Sequence, residues 1–316
     1  MSSPKEQLVV ILGTGGTIAG RAARASDNVG YTAAQLSVSQ LLEAVPALAA
    51  RNIETHQVAQ LDSKDMDFPT WQTLARAVDA QLQRPEVAGV VVTHGTDTLE
   101  ETAYFLQRVL APGKPVVLTA AMRPATALMA DGPQNLLDAV TVASDRFASG
   151  VLLSFGGSIH SAEQVRKVHS YRVDAFASAD GARLGVVEEG AVRWLLRSAL
   201  PLEALGLDRI AHAADAWPRV QIVMNHVGAD GAIVRALLAQ GIDGIVVAGT
   251  GNGTLSNDLE AALRVAQEQG VRVLRSTRCD AGPVMDMAGA LPAAGTLSPV
   301  KARIELLLDL LAQRLD

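Results

Sequence analysis

Short runs of continuous apolar residues alternate along the chain with longer stretches in which apolar positions recur every three to four residues. Residues 8–12, 87–92, 116–119 and 151–155 are runs of the first kind, rich in valine, leucine and isoleucine. They are too short for helices and predict strands buried on both faces. Residues 71–82, 99–109 and 134–144 carry the helical spacing between them. Such alternation predicts a parallel sheet covered by helices on both sides. From about residue 197 to 217 the pattern dissolves into an irregular, alanine-rich stretch. A second alternating unit then begins, with strands predicted at 220–224, 244–248 and 271–274 and helices at 232–239, 255–269 and 299–315. The expected fold class is α/β, with a larger N-terminal domain built on a parallel-rich sheet flanked by helices and a smaller C-terminal α/β domain. The domains are expected at 1–196 and 218–316, joined by a connector at 197–217.

Composition narrows the function classes. A chain of 316 residues, 49% hydrophobic and 19% charged, can bury more than one ordinary core. The net charge of −6 and the absence of a basic cluster argue against a nucleic-acid surface. No apolar run approaches the ~20 residues of a membrane span. The first residues lead into the first strand with no long apolar stretch before it, so no secretory leader is expected. Residence in the cytoplasm is the default, with the periplasm open if a leader was removed. The six histidines lack metal-site spacing, so no metal is expected. The single cysteine, Cys279, is expected to be a buried small apolar residue.

Candidate chemistry sits at two turns. Gly13, Gly15 and Gly16 follow the first strand and would let a small ligand approach backbone N–H groups, with Thr14 and Thr17 facing that space. Gly95, Thr96 and Asp97 repeat the arrangement after the strand at 87–92 and add a carboxylate. A threonine hydroxyl needs a partner to take its proton before it can attack an amide. Other readings compete. A glycine turn after a first strand also suits a dinucleotide, but Ile18 stands where the third glycine of that fingerprint would be, and no P-loop pattern occurs. The second turn alone fits an ordinary helix start capped by Asp97 or Thr96. A non-catalytic binding protein could use Asp97, but it would not need two hydroxyls on paired turns.

The stretches Thr14-Gly-Gly-Thr-Ile-Ala19 and Gly89-Val-Val-Val-Thr-His-Gly-Thr-Asp-Thr-Leu99 resemble the signature motifs of the bacterial-type asparaginase/glutaminase family. Further similar segments follow in order: Asp62-Ser-Lys-Asp-Met66, Ala121-Met-Arg-Pro124 with Ala130-Asp-Gly-Pro133, Gly249-Thr-Gly-Asn-Gly253, and Gly295-Thr-Leu-Ser-Pro-Val-Lys-Ala302. The resemblance covers nearly the whole chain. It implies hydrolysis of the side-chain amide of L-asparagine, with L-glutamine as a secondary substrate and no metal or organic cofactor. It further implies a homotetramer assembled as a dimer of dimers.

The resemblance also assigns roles. Thr17 is the implied nucleophile, forming an acyl-enzyme, and Tyr31 its partner, carried on a lid spanning residues 20–31. Thr96, Asp97 and Lys167 form a second, triad-like set. Asp97 and Ser63 would receive the two charged ends of the amino-acid substrate, with Gly16, Gly95 and Thr96 as backbone donors and Ala121 among the substrate contacts. Two positions depart from the family pattern. Lys64 stands where many members carry a small or amide residue, and Thr254 follows a motif after which asparagine or serine is usual. A pocket separates asparagine from glutamine by one methylene, a difference of about 1–3 kcal/mol, so such changes bear on selectivity.

Overall fold

The chain's first apolar run becomes an interior strand of the large sheet, one in from the edge. In the computed structural model, which describes residues 7–181, 183–196 and 203–314, β1 (Leu8–Gly15) is buried at every position. A short hairpin follows, β2 (Arg21–Ala22) with β3 (Tyr31–Thr32). Next come α1 (Val38–Glu43), β4 (Ile53–Leu61), α2 (Phe68–Leu82), β5 (Val87–Thr93), α3 (Leu99–Leu110), β6 (Val116–Thr119), α4 (Gly132–Ala143) and β7 (Val151–Phe155). The rest of this unit is antiparallel: β8 (Ser158–Ser161), β9 (Val165–Lys167), β10 (Phe176–Ser178), β11 (Gly185–Glu188) and β12 (Ala191–Trp194).

The large sheet runs β12-β11-β8-β7-β6-β5-β1-β4. Its strands from β4 to β7 are all parallel, and β7 through β12 pair antiparallel. Because the chain steps to one side of β1 to make β4 and to the other side to make β5, the order reverses at β1. Ligands of doubly wound sheets bind beyond the strand ends at such a reversal.

Burial explains the register. Val9 and Ile11 of β1 lie in one cluster with Val91 and Val117, packed under Leu136 and Val140 of α4 and Val38 and Leu41 of α1. Burying each such side chain contributes about 1.5–3 kcal/mol. A slip of one residue would turn that set away from the core. Near the start of α2, Trp71 stacks on Phe105 of α3 with ring centroids 4.5 Å apart. The helices begin where capping side chains allow. Ser37 and Gln40 form a reciprocal capping box on α1, and the Asp67 carboxylate accepts from Thr70 N at the head of α2.

The chain divides into two compact units, Met1–Leu207 and Asp208–Asp316. The second holds a parallel sheet, β13 (Val220–Met224), β14 (Gly244–Gly249) and β15 (Arg272–Thr277), with α5 (Ala232–Ala239), α6 (Asn257–Glu268) and α7 (Pro299–Gln313). Ile245, Val247, Leu259 and Leu263 are among its buried side chains. Ser298 caps α7, and Pro299 takes the first helical position, where no N–H is needed.

The α/β class and the larger and smaller units agree with the periodicity. Within the expected connector, residues 197–202 lie outside the described residues, and the remainder carries two short 3-10 turns, Leu207–Ile210 and Ala214–Ala216, between irregular segments. Residue 315 of the last expected helix also lies outside them. Strand β4 and helix α1 carry no strong sequence signal. As an edge strand, β4 mixes polar and partly exposed residues, so its apolar run is broken.

Candidate active site

Three loops leave neighbouring parallel strands at the same level. Gly13 of β1 pairs with Thr93 of β5, and Gly15 pairs with Leu61 of β4. Residues 16–19, 62–66 and 94–98 therefore emerge side by side at the reversal of strand order. Gly15 and Gly16 have φ of 104° and 79°, a region that excludes most side chains. A Cβ on Gly16 would sit 2.4 Å from Gly95 Cα, and one on Gly95 would sit 2.4 Å from Ser63 Oγ.

The glycines thus serve contact between loops, which corrects the expectation that they open room for a ligand. The Gly16 N–H is already donated to Leu61 O at 2.9 Å, so it does not stand ready for an oxyanion. Thr14 is corrected too. Its buried hydroxyl donates to Thr93 O at 2.9 Å, tying β1 to β5 instead of facing a substrate.

Thr17 opens a 3-10 turn, Thr17–Ala19, and is buried. Its Oγ1 lies 2.6 Å from Tyr31 Oη. The tyrosine arrives on β3, with Ala22 opposite it on β2. The segment expected as an irregular lid is therefore a small hairpin. Its turn is closed by Asp27, whose Oδ1 accepts from Val29 N and Gly30 N at 3.1 and 2.6 Å. The Gly30 N–H, more than any other group, holds that carboxyl below its ordinary range.

On the second turn neither Thr96 nor Asp97 caps the helix. Thr98 takes the N-cap position of α3, and its hydroxyl donates to Ser63 O at 2.8 Å. This frees Thr96 and Asp97 for one partner. Lys167 Nζ donates to Thr96 Oγ1 at 2.9 Å and to Asp97 Oδ1 at 2.6 Å. The lysine side chain is only 18% exposed, against 55% for the aspartate, so this is not the solvated lysine of a surface strand. Lys167 ends β9, opposite Phe176 of β10, and its backbone N–H donates to Glu100 Oε1 at 3.0 Å. Glu100 belongs to the first turn of α3, so the helix that fixes the Thr96 loop also holds the lysine's strand. In the sequence, an acidic residue there reads only as a complement to the helix dipole.

Ser63 is buried, and its Oγ accepts from Asp97 N at 3.2 Å, leaving its own proton for another acceptor. Lys64 stays at the rim. Its ammonium pairs with Asp62 Oδ2 at 3.3 Å, the contact that chiefly raises its pKa, and its side chain is 64% exposed. Ala121 is fully buried in the core cluster with Ile18, and so offers no accessible surface to a substrate.

His94 supports the turn from beneath. Trp71 Nε1–H donates to Thr102 Oγ1 at 2.9 Å, and because the Gly95 carbonyl can only accept from Nδ1, Nε2 of the neutral ring accepts the Thr102 proton across 3.0 Å. The remaining ring proton sits on Nδ1 and is donated to Gly95 O at 2.7 Å. Burial lowers the histidine pKa to about 4, keeping it neutral. Holding the Gly95 carbonyl turns the Thr96 N–H of the same trans peptide the opposite way.

In the second unit, Thr250 and Thr254 close the turn after β14 through hydroxyls 2.9 Å apart. Cys279 is exposed, contrary to the expectation of burial. It follows the end of β15, where the chain has left the sheet and Cys279 N donates to Thr277 Oγ1.

Comparison with known proteins places the whole chain. The model of the asparaginase N-terminal domain matches residues 8–200, and that of the glutaminase/asparaginase C-terminal domain matches 219–316. A probable periplasmic L-asparaginase of Haemophilus influenzae is 40% identical over 96% of this chain and 88% of its own length. A glutaminase-asparaginase of Pseudomonas fluorescens biotype A is 38% identical over 94% of this chain and 84% of its own. The crystal structure of a probable cytoplasmic L-asparaginase from Campylobacter jejuni superposes with a TM-score of 0.90 at 37% identity, over 96% of this chain and 95% of that one. On both domains and along nearly its full length, the chain belongs to the bacterial-type asparaginase/glutaminase family.

Proposed function

We propose that this protein hydrolyses the side-chain amide of L-asparagine to L-aspartate and ammonia, with L-glutamine as a slower substrate, through an acyl-enzyme on Thr17. The observation that carries the reading is the meeting of two hydroxyl turns, with Gly16 against Gly95 and each glycine one residue before its threonine. Thr17 Oγ1 attacks the amide carbonyl. The hydroxyl proton it loses is the one the departing nitrogen needs, so acylation requires only a relay between them. Tyr31 Oη, at 2.6 Å, is the first acceptor on that path. Thr96, receiving a hydrogen bond from the Lys167 ammonium, turns its own proton outward to the leaving group. Water then attacks the ester and the relay runs in reverse, returning Thr17 and releasing aspartate.

Binding follows from the remaining groups. Asp97 uses one carboxylate oxygen for Lys167. The other receives the substrate ammonium, and the Ser63 hydroxyl proton meets the α-carboxylate. The Thr96 N–H, aimed by the His94 contact on Gly95 O, stabilises the oxyanion.

Two relatives are named glutaminase-asparaginase in Pseudomonas fluorescens and L-asparaginase 2 in Escherichia coli, which is why both amides belong in the test. Purified protein given each amide separately is expected to release ammonia from asparagine faster. Absence of ammonia from both sinks the reading. Assembly as a homotetramer and residence in the cytoplasm belong to the same proposal, testable by sedimentation and cell fractionation. Among the described residues no helix is long and apolar enough to cross a membrane.

A further inference from the structure

Ala22 lies opposite Tyr31 in the lid hairpin. Its backbone N–H and C=O are met from outside the hairpin by a single side chain. Ala22 N donates to Thr126 Oγ1 at 2.8 Å, and the same hydroxyl donates back to Ala22 O at 3.4 Å. One threonine thus does for the lid's outer strand what a further strand would do.

Thr126 itself stands on a braced segment. The Asp131 carboxylate accepts from Met122 N and Arg123 N at 2.9 and 3.0 Å, and Arg123 Nη1 donates to Met129 O at 2.9 Å. Two backbone bonds flank the hydroxyl, Ala125 N to Gly20 O and Leu128 N to Ala25 O, both 3.0 Å. Any residue type with a backbone N–H would keep those bonds. Only the hydroxyl at position 126 depends on the side chain, and it grips the residue facing Tyr31.

We propose that Thr126 is a positioning residue whose hydroxyl latches the lid strand opposite Tyr31 and so keeps the phenol on Thr17. Its kinetic consequence rests on the hydrolase reading above. Its structural consequence does not. Thr126→Val keeps the shape and leaves both Ala22 groups unmet, whereas Thr126→Ser restores the oxygen. Arg21 and Arg24 lie exposed on the lid, so limited trypsinolysis followed by mass spectrometry reads its opening.

In the full-length protein, Thr126→Val is expected to speed cleavage after Arg21 and Arg24 about fivefold to tenfold and to lower kcat on asparagine by a similar factor, the scale of one net hydrogen bond. Thr126→Ser is expected within about twofold of wild type in both, if the hydroxyl alone carries the effect. On a Tyr31→Phe background, Thr126→Val is expected to cost no further kcat, because the latch acts through the phenol.

Unchanged cleavage in Thr126→Val overturns the latch. Faster cleavage with unchanged kcat, or full additivity with Tyr31→Phe, overturns the positioning role. Should wild-type protein release no ammonia from either amide, the hydrolase reading falls by itself, and the proteolysis arm alone decides the latch.

Discussion

Tyr31 Oη and Thr17 Oγ1 are 2.6 Å apart, at the short end of ordinary O–H···O contacts. The two side chains reach each other from different elements, a 3-10 turn after β1 and the far strand of a hairpin. Such a contact survives only while the hairpin stays folded over the turn, which couples the Thr17 hydroxyl to the hairpin.

Tyr31→Phe keeps the ring and removes the oxygen. Its expected effect is a fall in kcat of about 10²–10³-fold, the range of one positioned proton-transfer group, with KM changed far less. Steady-state ammonia release measures this. A kcat within about threefold of wild type would remove Tyr31 from the proton path.

Lys167→Met deletes the ammonium from the Thr96–Asp97 pair while retaining much of the chain's bulk. Activity is expected to drop about 10³-fold or more, because Thr96 loses the group that polarises it. Stability is expected to change by no more than about 1 kcal/mol, since the Asp97 side chain is more than half exposed and such pairs contribute little to folding. Equal and large losses in both would mean that the lysine's role is structural.

His94 gives a pH test of the support beneath the turn. Its pKa is lowered by burial from the ordinary 6.5 to about 4. Below pH 6.5 the unfolded chain binds a proton that the folded chain refuses until about pH 4, so stability falls as pH drops through that window. The total loss is about 3 kcal/mol, at about 1.4 kcal/mol per pH unit. His94→Gln is expected to flatten that stretch of the stability curve. Chemical unfolding of both proteins at pH 7, 6, 5 and 4 decides the matter, and parallel curves would contradict the buried neutral assignment.

Gly16→Ala tests the contact between the two turns. Both Gly16 and Gly190 adopt positive φ, but a Cβ on Gly190 meets nothing within 4 Å, whereas one on Gly16 meets Gly95 backbone. Gly190→Ala is expected to cost only left-handed strain, about 1–2 kcal/mol, and to leave activity intact. Gly16→Ala is expected to cost more and to abolish activity by pushing the Thr96 loop aside. Equal thermal stability and activity in the two variants would show that the close approach is unimportant.

The two threonines, Thr17 and Thr96, are legible in the sequence because each follows an apolar run that could only be a strand, with glycines that no helix or strand interior favours. Tertiary pairings were not. Nothing local marks Thr14 as a tie to Thr93, Glu100 as a tether for the Lys167 backbone, or Thr126 as a grip on Ala22. Each links segments far apart in the chain, and hydrogen bonds of that kind leave no period in the sequence. Cys279 departs from its sequence expectation for a related reason. Type and hydrophobicity favour burial, but position just past the end of β15 decides exposure.

Rapid mixing of the enzyme with asparagine, followed by an acid quench that preserves the ester and by peptide mass spectrometry, tests the role of Thr17. An aspartyl adduct on the peptide carrying Thr17, absent from Thr17→Ala and formed far more slowly in Thr96→Val, is the expected result. Undiminished ammonia release by Thr17→Ala, or an adduct located on any other residue, would contradict it.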